Sequence, residues 1–342
     1  MIDKMGWSFA AQKAVTAFEA SAAATKASLF VLDEDASTVV DLPTSTLPSV
    51  LGDVSHLYAL AMLFREFDRG AMEPSTRIVD LLPGELVDGL CVINDDDHSE
   101  EITLEHLMSH QSGIADFYDP GIRGTRSISR QVAGRDRSWS LEQALEVARH
   151  YPGEFPPGAR GKSHYSLTNY LLIGAILARS TGMSLEQLIQ LRVVIPLGLK
   201  GTFVFTPGHY DSYFSITPVH HQGSTLRAPL ALASFDAAGA IVATARELAQ
   251  FARAMWAGEI FDASWLDYVS QNPRAVRGGL RLARGVLLAG TKNGKPSFVG
   301  HAGSTGSGVL VDPENLRVAA VSFNHTKPPH EVLGFLRGIL AD

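Results

Sequence analysis

The stretch from Pro156 to Leu199, PPGARGKSHYSLTNYLLIGAILARSTGMSLEQLIQLRVVIPLGL, decides the fold that this sequence predicts. Apolar residues recur at helical spacing in two of its parts, NYLLIGAILARSTG and SLEQLIQLRVV, and predict two helices one after the other. Tyr165 and Ser166 stand just before the first of them. We therefore expect the middle of the chain, to about Gln250, to be mostly helix and loop.

Further helices are predicted on both sides of this stretch. One begins near Asp53, runs through HLYALAMLFREFDRG and ends at Gly70. Others are expected at ITLEHLMSH, SLEQALEVARH and ARELAQFARAMWAG, and the first two follow the capping residues Thr103 and Ser140.

The two ends of the chain predict strands. The first two strands are expected at 27–32 and 37–42, after an amphipathic helix in the first 20 residues. Four short segments rich in β-branched residues, RGVLLAG, PSFVGHAG, SGVLVDP and RVAAVSFN, predict antiparallel strands before a last helix, HEVLGFLRGILAD. We predict an α/β (α+β) fold: an antiparallel sheet flanked by terminal helices (1–50 and 251–342), an inserted helical domain (51–250), and a pocket between them.

Composition excludes several classes of protein. The chain has 342 residues and a net charge of −7, and it lacks the basic surface that nucleic acid requires. No segment approaches the roughly 18 apolar residues of a membrane span. Cys91 is the single cysteine, so no internal disulfide can form, and we expect a small buried thiol in a cytoplasmic protein. The histidines, including the adjacent pair His220 and His221, show no metal-ligand spacing, and we expect neither metal nor cofactor.

Three separated segments carry a resemblance to a known family. They are ITLEHLMSHQSGIADF (Ile102 to Phe117), the stretch from Pro156 to Leu199, and GHAGSTGSGVLVDPE (Gly300 to Glu314). In this order they resemble the serine β-lactamase and penicillin-binding-protein superfamily, in particular its class C and esterase-like branch. The resemblance implies a β-lactamase/transpeptidase-like fold, with His301-Ala302-Gly303 on a strand that helps to hold the substrate. Gly303 and His301 are accordingly expected to bind substrate.

The sequence departs from the superfamily at the residues that perform its chemistry. No Ser-x-x-Lys occurs in the chain, and alignment of the helix LYALAMLFREFDRGAM places Asp53 at the serine and His56 at the lysine. Tyr165 is kept from the Tyr-x-Asn motif, whereas Leu167 replaces the asparagine and implies a less polar, substrate-contacting pocket wall.

These departures change the chemistry that the resemblance implies. In the superfamily, serine attacks a carbonyl group while lysine and tyrosine carry its proton. Asp53 has no proton to give up at neutral pH, so the usual acyl-enzyme route is lost. Asp53 and His56 share a helix face, and an imidazole with a pKa of about 6.5 suits proton transfer. With Tyr165 they form a predicted catalytic set.

Other interpretations of these residues stay open. Asp53 could cap its helix, His56 could be a buried core histidine, and His110 fits a structural role. Ser55 faces away from the expected site, whereas Ser112 and Ser304 are alternative nucleophiles.

Three functions follow from the sequence. The first is an enzyme that uses Asp53, His56 and Tyr165 for acid–base chemistry (isomerisation, elimination, cyclisation or non-acyl hydrolysis) on a small, fairly apolar molecule. The second is a catalytically silent binding or regulatory protein, and the third is an esterase or amidase with another nucleophile.

Overall fold

The computed structural model describes residues 27–120, 127–276, 280–292 and 295–341, with a few positions before them. The helix predicted for the first 20 residues therefore lies mostly outside the described residues. The helices are α1 Ser55–Asp68, α2 Gly84–Val87, α3 Leu104–Met108, α4 Ile128–Gly134, α5 Leu141–Arg149, α6 Thr168–Thr181, α7 Leu185–Ile189, α8 Ile195–Leu197, α9 Pro229–Ser234, α10 Ala245–Trp256, α11 Trp265–Ser270 and α12 Pro329–Ala341.

The strands form one large sheet and three small ones. Their bounds are β1 Ser28–Leu32, β2 Thr38–Asp41, β3 Ser49–Val50, β4 Val92–Ile93, β5 Asp96–Asp97, β6 Phe203–Val204, β7 Val219–His221, β8 Ser224–Leu226, β9 Ile241–Ala243, β10 Arg274–Val276, β11 Leu280–Leu282, β12 Leu287–Lys292, β13 Lys295–Ala302, β14 Ser307–Val311 and β15 Val318–Ser322. The large sheet has eight strands in the order β10-β11-β12-β13-β14-β15-β1-β2, and each neighbouring pair is antiparallel.

Both chain ends meet in this sheet because β1 pairs with β15 along its whole length, from Ser28 opposite Ser322 to Leu32 opposite Val318. This confirms the predicted antiparallel sheet with flanking helices. β10 and β11, at one edge of the sheet, were not predicted, because three-residue strands show too little alternation to be recognised.

The sheet is buried on both faces. Phe30 belongs to the core cluster that includes α1 and α6, whereas its neighbours Leu29 and Val31 belong to a second cluster under α12. Successive side chains of a strand point to opposite faces, so a strand covered on both sides must be apolar throughout. α10 packs against β1, β14 and β15 within the first cluster, and the predicted boundary at residue 250 falls within this helix.

Local sequence accounts for the helices around the site. Thr103 and Ser140 begin α3 and α5 with reciprocal capping boxes, as their sequences predict. α1 differs, because a 3-10 turn, Gly52–Val54, precedes it and its N-cap Val54 makes no side-chain cap bond. The interpretation of Asp53 as a helix cap is therefore wrong.

Two features outside the site concern the single cysteine and the lengths of the helices. Cys91 is fully buried, which confirms the predicted buried thiol, and burial raises the pKa of that thiol to about 11. No helix within the described ranges has the length and apolar character needed to cross a membrane.

Candidate active site

The candidate site lies where the turn before α1 meets the loop after β13. Gly52 has φ +55, and a Cβ on it would come within 2.9 Å of the Thr305 side chain. A Cβ on Gly303 would lie 2.9 Å from the carbonyl oxygen of Leu51 and 3.0 Å from the amide nitrogen of Asp53. Gly303 therefore allows the two backbones to touch, and Gly52 leaves room for the Thr305 side chain. Gly303, predicted to bind substrate, has this close-packing role in the structure.

Asp53 is half-buried at this contact. Its Oδ2 accepts a hydrogen bond of 3.4 Å from the backbone N–H of Ser304, which is exposed. Burial raises the pKa of Asp53 to about 6, and the Ser304 amide acts in the opposite direction. A carboxylate with this pKa is mostly ionised at pH 7 and is a stronger base than an ordinary aspartate.

His56 lies on the first turn of α1 and is fully buried. Its Nδ1 is 3.2 Å from the hydroxyl oxygen of Tyr165, and its ring stacks on Tyr170 with centroids 3.6 Å apart. Burial lowers the pKa of His56 well below 6.5, and positive charge on His301 or His110 would lower it further. A hydrogen bond to the Ala238 carbonyl acts in the opposite direction. The imidazole is therefore neutral at physiological pH.

Tyr165 is the half-buried partner of His56. Burial raises its pKa well above 10, and the negative charges of Asp53, Tyr170 and Asp116 add to this effect. The phenol therefore keeps its proton and can donate it. The structure thus brings Asp53, His56 and Tyr165 into one site.

Two further histidines surround His56. His301, on β13, is 1% exposed and meets the His56 ring edge-on at 5.3 Å, and burial lowers its pKa to about 4. His110 is fully buried, with its ring centroid 6.0 Å from that of His56. Within the described part of the chain, no three histidine, cysteine, aspartate or glutamate side chains are arranged to hold a metal ion.

Leu167 lies directly before α6 and is 8% exposed, packed in the main core cluster. Its backbone N–H donates to Asp116 Oδ1 at 3.3 Å. Burial raises the pKa of Asp116 to about 7, against the N–H groups of Tyr118, Leu167 and Asp119, which lower it.

Among the alternative nucleophiles, two are enclosed. Ser55 is buried, and its hydroxyl accepts a hydrogen bond from the Ile241 amide. Ser112 is buried too, and its hydroxyl donates to Asn169 Oδ1 at 2.6 Å. Ser304 is the exposed one and is adjacent to Asp53.

Three residues of the site were missed from sequence, namely Tyr170, Asn169 and Asp116. Asn169 and Tyr170 follow Tyr165 by four and five positions in the first turn of α6, so helical spacing from Tyr165 could have pointed to them. Nothing local singles out Asp116, because its carboxyl group is placed by contacts with residue 167, about fifty positions later.

The comparisons with solved structures agree with this fold. A D-stereospecific amidohydrolase from Streptomyces sp. superposes with a TM-score of 0.74 at 20% identity, covering 96% of this chain and 98% of that one. EstCE1, described as a hydrolase with promiscuous acyltransferase activity, gives a TM-score of 0.82 at 15% identity over the whole of both chains. These likenesses show the β-lactamase/transpeptidase-like fold.

Sequence comparison leads to the same family. A putative D-alanyl-D-alanine carboxypeptidase of Escherichia coli is 28% identical over 178 residues, 51% of this chain and 38% of that protein. Penicillin-binding protein 4 of Amycolatopsis lactamdurans is 28% identical over 149 residues, 43% of this chain and 34% of that protein. The matched region thus spans well under half the length of these relatives. The family described as Beta-lactamase matches residues 48–340, and this chain belongs to that family.

Proposed function

We propose that this chain is a hydrolase of small esters or amides in which Asp53 activates water directly and no acyl-enzyme forms. The observation that carries the proposal is the contact of 3.2 Å between the Tyr165 hydroxyl and His56 Nδ1, beside a carboxylate with a raised pKa. Asp53 is the base, Tyr165 is the acid, and His56 orients the phenol.

The proposed reaction needs one water molecule. Asp53 takes a proton from the water as its oxygen attacks the substrate carbonyl, and Tyr165 gives its proton to the leaving group as the bond to that group breaks. His56 supports this step, because its Nδ1 lies 3.2 Å from the phenol oxygen and fixes the position of that oxygen while the proton moves. The proton held by Asp53 then returns to Tyr165 through solvent, and acid and alcohol or amine leave.

The surroundings of Asp53 favour a fairly apolar substrate. Burial raises the pKa of Tyr118 to about 12, and the negative charges of Asp116, Asp119 and Asp53 add to this effect in that order. The ring of Tyr118 packs on Phe235 at 5.0 Å and on Trp139 at 6.3 Å. This aromatic group near Asp53, together with Leu167 in place of an amide side chain, suits an apolar acyl group.

The hydrolase names of the structural relatives fit the proposed reaction class. A D-amino acid amidase from Ochrobactrum anthropi also superposes, with a TM-score of 0.73 at 20% identity, and its name suggests D-amino acid amides as additional test compounds.

The test uses 4-nitrophenyl acetate and D-phenylalanine 4-nitroanilide. Asp53→Asn should lower kcat/KM about 100-fold with both substrates. His56→Ala and Tyr165→Phe should do so with the anilide, whose leaving amine must gain a proton, whereas 4-nitrophenolate leaves without one. The control Tyr210→Phe, a tyrosine that packs on Phe205, should change neither rate. Full activity in the three variants, or no hydrolysis by the parent protein, would overturn the proposal.

Oxygen labelling separates direct water attack from attack by the Asp53 carboxylate. In H2(18)O, an anhydride that water opens at the Asp53 carboxyl carbon would place label in the Asp53 side chain, whereas water activation leaves it unlabelled. An anhydride that water opens at the substrate carbonyl leaves Asp53 unlabelled too, and is detected instead as an acyl adduct on the intact protein in rapidly quenched turnovers. Label in the peptide that contains Asp53, detected by mass spectrometry after several turnovers, would contradict the proposed mechanism.

A further inference from the structure

His110 makes contacts that fix the position of its own proton. Its Nδ1 lies 3.0 Å from the backbone nitrogen of Ser166 and 3.0 Å from Asn169 Nδ2. Asn169 Oδ1 accepts the Ser112 hydroxyl at 2.6 Å, so the amide of Asn169 presents its N–H to His110. A backbone N–H can only donate, so Nδ1 is an acceptor and the proton of this neutral ring is on Nε2.

The backbone at His110 is also unusual. Its φ is +54, a conformation that a non-glycine residue adopts at an energetic cost. This left-handed residue follows α3 and directs the His110 ring toward Ser166 and Asn169. The strained backbone therefore creates a contact with the segment that bears Tyr165.

The His110 ring lies face to face with Tyr165. The ring centroids are 4.3 Å apart and the planes differ by 19°. The titratable groups that face His110 are Tyr165, Tyr170 at 5.5 Å, His56 at 6.0 Å, His164 and His301. Burial lowers the pKa of His110 to about 3, and positive charge on His301 or His164 would lower it further.

We propose that His110 is a positioning residue for Tyr165, held as the neutral Nε2–H tautomer by Ser166 and Asn169, with Ser112 fixing the orientation of the Asn169 amide. The neutral ring holds the phenol of Tyr165 against His56. A charged ring at this distance would stabilise the phenolate and so lower the pKa of the Tyr165 phenol. This proposal rests on the proposed function for its effect on turnover, but its structural part can be tested without any substrate.

The first experiment is nitrogen-15 NMR of the histidine side chains in the full chain. His110 should show a protonated Nε2 and an unprotonated Nδ1 and should not titrate between pH 5 and pH 8. A proton on Nδ1, or titration in this range, overturns the proposal whether or not the protein hydrolyses any ester.

The second experiment places a charge beside the ring. In Asn169→Asp the carboxylate cannot donate to Nδ1 and favours protonation of His110, while it still accepts the Ser112 hydroxyl. We expect the phenol pKa of Tyr165, followed by carbon-13 NMR of its Cζ, to fall by at least one unit. With D-phenylalanine 4-nitroanilide at pH 8, kcat should fall at least 10-fold while KM stays within twofold, because the ring that positions the phenol is no longer held by the Asn169 amide.

Two variants separate positioning from folding. His110→Asn retains an acceptor for Ser166 and tolerates a left-handed backbone, but lacks the ring, so kcat should fall about 10-fold with the melting temperature nearly unchanged. Ser163→Ala is the matched control, because the Ser163 hydroxyl donates to the backbone carbonyl of His110 and not to its ring. Unchanged Tyr165 signals in both Asn169→Asp and His110→Asn would overturn the proposal. Failure to find a substrate, with the NMR changes present, would affect only the proposed function.

Discussion

Asp53 differs from an ordinary surface aspartate through its surroundings. Removal from water disfavours its charged form. The hydrogen bond of 3.4 Å from the backbone N–H of Ser304 compensates only in part. The carboxylate therefore gains basicity near neutral pH, while burial raises the pKa of the Tyr165 phenol and the negative charge of Asp53 adds to this effect. Burial thus gives the two residues the protonation states that the proposed acid–base pair needs.

The raised pKa of Asp53 predicts how the proposed hydrolysis depends on pH. Asp53 works as a base only when ionised, so kcat/KM should rise with pH along an acid limb centred at about 6 and then level off. Measurement of kcat/KM from pH 4.5 to pH 8 tests this. The residual activity of Asp53→Asn should lack the limb, and a limb near 4 in the parent protein would contradict a raised pKa.

A second prediction at this scale concerns covalent inhibitors. Position 53 carries a carboxylate, and Ser55 and Ser112 are buried and hydrogen-bonded, so we expect no stable acyl or phosphonyl adduct with penicillins or fluorophosphonates. Intact-protein mass spectrometry after incubation tests this. An adduct mapped to Ser304 would instead support an esterase with a different nucleophile.

At the scale of elements, the site depends on the contact between the Gly52–Val54 turn and the β13–β14 loop. The Gly303 N–H donates to the Ser307 carbonyl at 2.9 Å and closes this loop against Asp53. α1 orients the His56 side chain, whereas the loop provides the Ser304 backbone N–H that donates to Asp53. The position of the base therefore depends on two segments about 250 residues apart.

Gly303→Ala tests this contact. The new methyl group would lie 2.9 Å from a carbonyl oxygen and 3.0 Å from an amide nitrogen, so the loop must move. We expect a loss of about 1–3 kcal/mol in the free energy of unfolding and at least 10-fold in kcat. Gly338→Ala, within α12 where the methyl group meets nothing within 4 Å, is the control and should stabilise by up to about 1 kcal/mol. Equal behaviour of the two variants in urea melts would refute the contact argument.

At the scale of the whole molecule, the site combines neutral histidines with carboxyl groups of raised pKa. A histidine whose pKa is lowered by folding makes the folded protein less stable as pH falls below about 6.5, because only the unfolded chain then binds the proton. Carboxyl groups with raised pKa values act in the opposite sense. Asp116, whose pKa is raised to about 7, contributes stability below pH 3.8 that is lost as pH rises to about 7.

Replacement of the Asp116 carboxyl group should raise the free energy of unfolding by an amount that depends on pH. Asp116→Asn keeps an acceptor for the Tyr118 and Leu167 amides but cannot ionise. Relative to the parent protein, its free energy of unfolding should improve by about 2–4 kcal/mol between pH 4.5 and pH 8. Urea unfolding at the two pH values measures this difference. A constant difference across this range would show that Asp116 ionises as freely in the folded state as in the unfolded one.

The sequence by itself determined the sheet at the chain ends, the helical middle and the family. Short β-branched segments such as SGVLVDP and capping at Thr103 and Ser140 are local signals, and they suffice for these elements. The alignment that puts Asp53 and His56 in place of the expected serine and lysine is likewise a prediction from the sequence, and the proposed function rests on it. These features depend on neighbours a few residues apart.

Only the tertiary structure decided the protonation states and partners within the site. Helical spacing puts Asp53 and His56 on one face, but the amide of Ser304 and the hydroxyl of Tyr165 reach them from segments 251 and 109 residues away. The raised pKa of Asp53 and the neutral state of His56 result mainly from burial, and burial is a property of the assembled core. The tautomer of His110 likewise depends on Ser166 and Asn169, which meet its ring only after the chain has folded.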